Sequence, residues 1–361
     1  MTVGAARSML PYWVLFGVFA SGAFLGRAGA ARRTASLPIL TFCLFLVVLM
    51  LGFRFRVGGD WSTYRDIFSS IGVMDLADAV LFASSDPAYS LLNWVAHQFG
   101  SGIWFVNLCC GAVLIWGIAS IAWRQPNPWL VFLVAVPYLI IVVGMGYTRQ
   151  AAAIGLTLVA ITSLIRGDLR KFIIAMVIAT LFHKSAIILL PVVGLAWTRD
   201  RWIMAGLVAM IGALLYYFFI SASLESLTTN YLKAQLNSEG AAVRVAMNAF
   251  PAAVYLLGQR KFGFSELERR IWRNLSIAAL LAILGLMFLP SSTVVDRLGL
   301  YLSVIQLIVL ARLPWALSGG PAGRMILTML VVIYSAGIQF VWLTYALHSR
   351  LWIPYRIYPL L

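Results

Sequence analysis

The chain has 361 residues, 62% of them hydrophobic and 11% charged, with a mean hydropathy of +0.93; these values exclude a soluble domain and describe a polytopic membrane protein. The formal net charge of +15 is carried largely by arginines in short loops between apolar runs, where it orients the chain against a lipid bilayer and argues against nucleic acid as a partner.

In chain order, the first apolar run, Leu10 to Leu25, follows Arg7 and precedes Ala28-Gly29-Ala30, a pattern that imitates a cleavable signal peptide. Arg27, Arg32 and Arg33 put more positive charge after the run than before it, so the expectation is a retained helix whose C-terminal end faces the cytoplasm. Further spans are expected near 36 to 53, 102 to 123, 127 to 147, 149 to 165, 203 to 221, 275 to 290, 297 to 312 and 325 to 346. The segment 85 to 100 reads as an amphipathic surface helix, and 246 to 258 as a short span ahead of the basic loop Gln259 to Arg273. Segment 168 to 198 is too long for one ordinary span and is interrupted by His183-Lys184-Ser185.

Charge parity settles that segment. If it forms two short helices, the loops with Arg27/Arg32/Arg33, Arg124, Arg166/Arg170/Lys171, Arg199/Arg201, Arg260/Lys261/Arg269/Arg270/Arg273 and Arg312/Arg324 share one side, as cytoplasmic loops should. The expected fold is therefore all-α: a single integral membrane domain over 1–361, a bundle of about twelve transmembrane segments with both termini outside. Short re-entrant or surface helices are expected on its outer side.

The same parity leaves Arg54, Arg56, Asp60, Arg65, Asp66, Arg149, His183, Lys184, Arg244, Asp296, Arg297, Arg350 and Arg356 on the outer side. A charge at the centre of a span costs roughly 2.5 to 3.5 kcal/mol on insertion scales, so several at helix ends call for a reason, and a shared polar cavity supplies one. Each also has a plainer reading. Asp60 after Gly58-Gly59 suits a helix N-cap, with Trp61 and Tyr64 in an interfacial belt. Arg149 can snorkel to headgroups, His183 can be a polar break, and Asp296-Arg297 a local ion pair.

No Walker A sequence, H-E-x-x-H, Asp-x-Asp pair or Gly-x-Ser-x-Gly elbow is present. Cys43, Cys109 and Cys110 all lie inside apolar runs, without disulfide or metal-ligand spacing. Neither a metal nor another cofactor is expected. An arginine-rich pocket suits an anionic leaving group, because guanidinium forks bind phosphate oxygens bidentately and stay charged. A lipid-linked pyrophosphate fits that description, with Arg54 and Arg56 near it. A base must also take the proton of an attacking sugar hydroxyl. Asp60 and His183 are both candidates, and the residues do not choose between them. Trp61, Tyr64, Tyr301 and Tyr355 offer flat faces for sugar rings.

Gly59-Asp60-x-x-x-Tyr64, Asp86-Pro87-Ala88-Tyr89 with Leu91-Leu92-Asn93, Arg149-Gln150-x-x-Ala153, Phe182-His183-Lys184-Ser185-Ala186, and Asp296-Arg297 with Tyr301 together resemble the EpsG family of Wzy-like polysaccharide polymerases. The resemblance is clearest over 50 to 200. It implies a multispanning bacterial inner-membrane enzyme of exopolysaccharide, capsule or O-antigen assembly, GT-C-like in general plan and metal-independent. Such an enzyme moves a glycan from undecaprenyl pyrophosphate onto the next lipid-linked repeat unit at the periplasmic face. A flippase and a chain-length regulator are the protein partners it implies. Carried onto this chain, the catalytic positions are Asp60, Arg149 and His183, with Arg297 beside them; Arg54, Arg56, Trp61, Tyr64, Lys184, Arg244, Tyr301 and Tyr355 are the substrate-binding set. Many Wzy-like polymerases resemble one another in a large periplasmic loop, whereas the loop between Ser221 and Arg244 is short and polar.

Two other function classes are distinguishable. A flippase for the same lipid-linked glycan should leave its length unchanged and carry charges on both sides of the midplane. A ligase or acyltransferase acting on surface glycans should centre on His183 and leave glycan length unaffected.

Overall fold

The computed structural model describes residues 3–25, 29–82, 85–198, 200–216, 240–288 and 292–358. The loop from Ser221 to residue 239, with Arg27 and Arg199, lies outside the described residues.

The described chain is helical, with one isolated antiparallel bridge between Arg54 and Ile357. The helices are α1 (Val3–Leu25), α2 (Gly29–Gly52), α3 (Trp61–Gly72), α4 (Leu76–Val80), α5 (Pro87–Gln98), α6 (Ile103–Ala122), α7 (Pro128–Gly146), α8 (Thr148–Ile165), α9 (Leu169–Phe182), α10 (Leu189–Trp197), α11 (Arg201–Tyr216), α12 (Ala241–Gly258), α13 (Glu266–Phe288), α14 (Ser292–Leu302), α15 (Val304–Ala316) and α16 (Pro321–Tyr345). Among the described residues seven helices are long and apolar enough to cross a membrane, and Met9–Phe24, Ser36–Gly52 and Lys184–Trp197 are shorter apolar helices. Segment 168 to 198 is two helices, parted at His183, which leaves the helical region with φ −159° and ψ 113°. Asp168 accepts from the Lys171 amide at the start of α9, so the first of the two begins on its own cap.

Two compact units form within the chain, Met1–Lys184 with Leu310–Leu361, and Ser185–Val309. In the first, α6 packs on α8, α8 on α9, α2 on α6, and α1 on α7, while α3, α4 and α5 form a small layer that reaches α6 and α9. Helix α7 is wholly buried. Pro137, which has no N–H to donate, sits in a stretch of wide turns over Val136–Val143. Trp352 donates its indole N–H to the Ile141 carbonyl at 2.9 Å, which satisfies a backbone acceptor in that widened stretch. Outward rows such as Phe42, Phe45 and Leu46 on α2 and Ile173, Val177 and Leu181 on α9 stay exposed, as suits contact with lipid. In the second unit α10 packs on α11 and α13, and α12 on α13 and α14.

The C-terminal segment braces the stretch between α2 and α3. Phe55 N–H donates to Arg356 O, Tyr358 N–H to Phe53 O and Gly58 N–H to Leu351 O, at 2.7 to 2.9 Å. Gly58 has φ +107°, and a Cβ there would meet the Met145 carbonyl oxygen at 2.1 Å, so the residue has to be glycine.

Candidate functional site

The site is assembled by helix ends of the first unit. Asp86 caps α5 in an extended conformation, φ −92° and ψ 141°, with Pro87 at the first helical position. Its carboxylate makes no cap bond to its own helix and is spent on distant residues instead. Arg149, in the first turn of α8, donates Nη1–H to Oδ2 at 3.1 Å; His183 Nδ1 lies 3.3 Å from the same oxygen; and the Lys184 backbone N–H donates to Oδ1 at 3.3 Å. These partners stand 63, 97 and 98 residues away in sequence. All three side chains are largely enclosed, with 11% exposure for Asp86, 17% for His183 and 23% for Arg149. Burial pushes the Asp86 carboxyl up, but the His183 hydrogen bond and charge, the Arg149 charge and the Lys184 amide hold it below the ordinary carboxylate value.

Arg149 also lies over two aromatic faces, with its guanidinium carbon 5.8 Å from the Tyr64 ring centroid and 5.9 Å from that of Tyr89. Those rings pack at 5.6 Å from each other and belong to a buried cluster with Ile67, Ile71, Ala96 and Val106. The apolar faces of α3 and α5 therefore build the wall on which the arginine rests. Burial pushes the Tyr64 hydroxyl pKa up and the Asp60 charge adds to it, with Arg149 opposing. Asp60 and Arg149 thus act on one common neighbour. Although Asp60 stands at the N-cap position of α3, its side chain makes no cap hydrogen bond.

Arg54, linked to this group through Thr148, is 1% exposed. It donates Nη1–H to Leu51 O at 2.6 Å, and Nη2–H to Asn107 Oδ1 at 3.0 Å and Thr148 Oγ1 at 2.7 Å. Its guanidinium carbon is 6.0 Å from the Trp61 ring. Arg54 thereby ties the end of α2 to α6 and to the residue before Arg149.

The remaining expected site residues are placed as follows. Arg56 is exposed, with φ 53°, and its guanidinium carbon lies 5.3 Å from the Phe55 ring centroid. The Lys184 side chain is exposed, and its backbone rather than its ammonium reaches Asp86. Tyr355 donates its hydroxyl to Met50 O at 2.8 Å and sets its ring edge against Tyr12. In the second unit Arg244 pairs with Asp296, at 11% and 13% side-chain exposure. Asn248 joins that region by donating to Gly299 O at 2.8 Å and accepting from Gln306 at 2.7 Å. Tyr301 is buried, accepting from Ser185 at 3.4 Å, and Arg297 is exposed.

The structure therefore gathers Arg149, His183 and the Lys184 backbone around Asp86, with Tyr64 against Arg149 and Arg54 bonded to Thr148 next to it. That carboxylate was not among the expected site residues although Asp86-Pro87-Ala88-Tyr89 had been singled out. In the sequence it reads as a helix cap before proline. The available signal was its rarity, since acidic residues number 12 against 27 lysines and arginines. Among the described residues no three His, Cys, Asp or Glu side chains gather as a metal set would. Chemically, the arrangement presents a fixed guanidinium, an imidazole oriented through one ring nitrogen, and aromatic faces.

The family model described as the EpsG family matches residues 36–357. No curated protein and no solved structure matches the chain.

Proposed function

Because the chain belongs to the EpsG family, a family of Wzy-like polymerases, we propose that it is a membrane glycosyltransferase that polymerises undecaprenyl-pyrophosphate-linked oligosaccharide repeat units. The observation that carries this reading is Arg149, enclosed beside His183 and held by Asp86 at 3.1 Å. A guanidinium fixed in an enclosed site stabilises charge developing on a leaving phosphate without having to reorganise as the reaction proceeds. In the transfer, the acceptor sugar oxygen bonds to the anomeric carbon of the donor glycan and the carbon–oxygen bond to the diphosphate breaks. The electron pair leaves with the phosphate, and the hydroxyl proton passes to a base, Asp60 or His183. Trp61, partly exposed at the start of α3, supplies a face for a sugar ring.

On this reading the site opens to the periplasmic face of a bacterial inner membrane, in a bundle of about twelve spans of GT-C-like plan. The flipped repeat units arrive there, delivered by a flippase. Arginine charge takes the part that a divalent ion plays elsewhere.

The test is reconstitution with purified lipid-diphosphate-linked repeat units and gel analysis of product length, with no nucleotide sugar and with or without EDTA. The expected result is polymer in both arms, and accumulation of single repeats with Arg149→Ala. Repeats that stay monomeric with the intact protein overturn the reading, and activity that needs a divalent ion overturns the arginine mechanism.

A further inference from the structure

We propose that Asp86 is the positioning residue for His183, and that the pair makes His183 the general base of the site; this rests on the polymerase reading above. Three features point the same way. The Asp86 carboxylate takes no part in capping its own helix; it accepts from Arg149 Nη1 at 3.1 Å and from the Lys184 amide at 3.3 Å, and lies 3.3 Å from His183 Nδ1. An ionised carboxylate can only accept hydrogen bonds, so the proton between them belongs to Nδ1, which leaves Nε2 as the basic nitrogen. The backbone fixes the ring from the other side, because His183 is the extended residue that ends α9 and its amide donates to Ala179 O at 2.9 Å. The next residue's amide is the one bound to Asp86 Oδ1, so a single carboxylate aligns the break and the ring together.

The step balances without another reagent. The acceptor hydroxyl gives its proton to Nε2 while its oxygen forms the bond to the donor's anomeric carbon. The bond from that carbon to the diphosphate oxygen breaks, and the electron pair leaves on the phosphate beside Arg149. The imidazolium so formed sits against Asp86 and then releases its proton to water. Asp86 thus serves both charges of the step: it holds the arginine that meets the leaving group, and it stabilises the cation on the base. Asp60, Tyr64, Tyr89 and the Lys184 side chain are the other titratable groups around this centre.

The experiment compares the intact protein, Asp86→Asn, His183→Gln and the double variant in the reconstituted system, with kcat and KM followed across pH. In Asp86→Asn, kcat falls about 10²- to 10⁴-fold with KM for the donor within about threefold, because the amide no longer enforces the Nδ1–H tautomer. Adding Asp86→Asn to His183→Gln costs less than Asp86→Asn does in the intact protein, the remainder being the part that acts through Arg149. The proposal is overturned by an Asp86→Asn protein that keeps kcat within about threefold, or by losses that multiply in full in the double variant. Nitrogen-15 shifts of His183 in the intact protein give a reading that needs no variant: the Nδ1–H tautomer is expected, and Nε2–H overturns the assignment. An intact protein that makes no polymer sinks the polymerase reading, and the tautomer measurement still decides the dyad.

Discussion

Gly117→Ala tests how the site is built. Helices α6 and α8 cross at a glycine pair: a Cβ on Gly117 would lie 2.1 Å from the Gly155 carbonyl oxygen and 2.5 Å from its Cα, and one on Gly155 would lie 2.4 Å from Val113 O. These are backbone atoms that cannot rotate away, so one added methyl group drives the helices apart by about 1 Å. Arg54 spans the same two helices, with 3.0 Å to Asn107 on α6 and 2.7 Å to Thr148 on α8. An extra ångström carries one of these beyond hydrogen-bond range. The expected cost is about 1–3 kcal/mol for overpacking and about 1.5–3 kcal/mol for a buried hydrogen bond from a charged group, or roughly 4 kcal/mol together. Arg149 follows Thr148 in the same helix, and a shift of about 1 Å at a reacting group lowers turnover by up to about 10²-fold. Thermal unfolding in detergent reads the first effect and product length the second. Gly17→Ala is the control, as a Cβ there meets nothing within 4 Å. A Gly117→Ala protein as stable and as active as Gly17→Ala would refute the account of the crossing.

In the second unit, Arg244→Ala or Asp296→Ala removes one member of an ion pair at 11% and 13% exposure and should lower stability by about 3–5 kcal/mol, with the double variant recovering part of it in thermal unfolding. Asn127 caps α7 by accepting from Trp129 N–H and donates to Ala23 O at 2.8 Å, so Asn127→Ala should cost about 2 kcal/mol by the same measurement. The Asp86 carboxyl is held below its ordinary value. Its contribution is therefore fully present above the unfolded pKa of about 3.9 and lost as pH falls through the folded value. The Tm difference between the intact protein and Asp86→Asn should shrink as pH falls below about 4; a difference that keeps growing through that range contradicts the ion-pair assignment.

The long apolar helices were legible because each depends on local composition, whereas the short helices α3 and α4 were not among the expected segments. The interruption at His183-Lys184-Ser185 marks a true helix end, since one carboxylate organises both sides of it. Side-chain partnerships were legible only where one member was conspicuous. Arg149 stood out as a charge between apolar runs, but nothing local connects it with Asp86, 63 residues earlier. Asp86 itself carries every mark of a cap, and its side chain does no capping. Gly58-Gly59 reads in the sequence as the lead-in to a cap at Asp60, whereas Gly58 is pressed against the Met145 backbone and the C-terminal strip lies along the same stretch. Packing of that kind has no local signature.

Arg54 completes the electrostatic argument. It is 1% exposed, and its hydrogen-bond partners are neutral: a carbonyl in the last turn of α2, an amide and a hydroxyl. A guanidinium does not lose its proton under accessible conditions, and the end of α2 offers only the partial negative charge of its terminal carbonyls. Its positive charge is therefore largely left standing at Thr148, the residue before Arg149, while Asp86 pairs with Arg149. A pocket so arranged favours an anion over a neutral sugar as the first group to settle. On the polymerase reading this orders the event: the lipid diphosphate is held first, and the acceptor hydroxyl is then presented to His183.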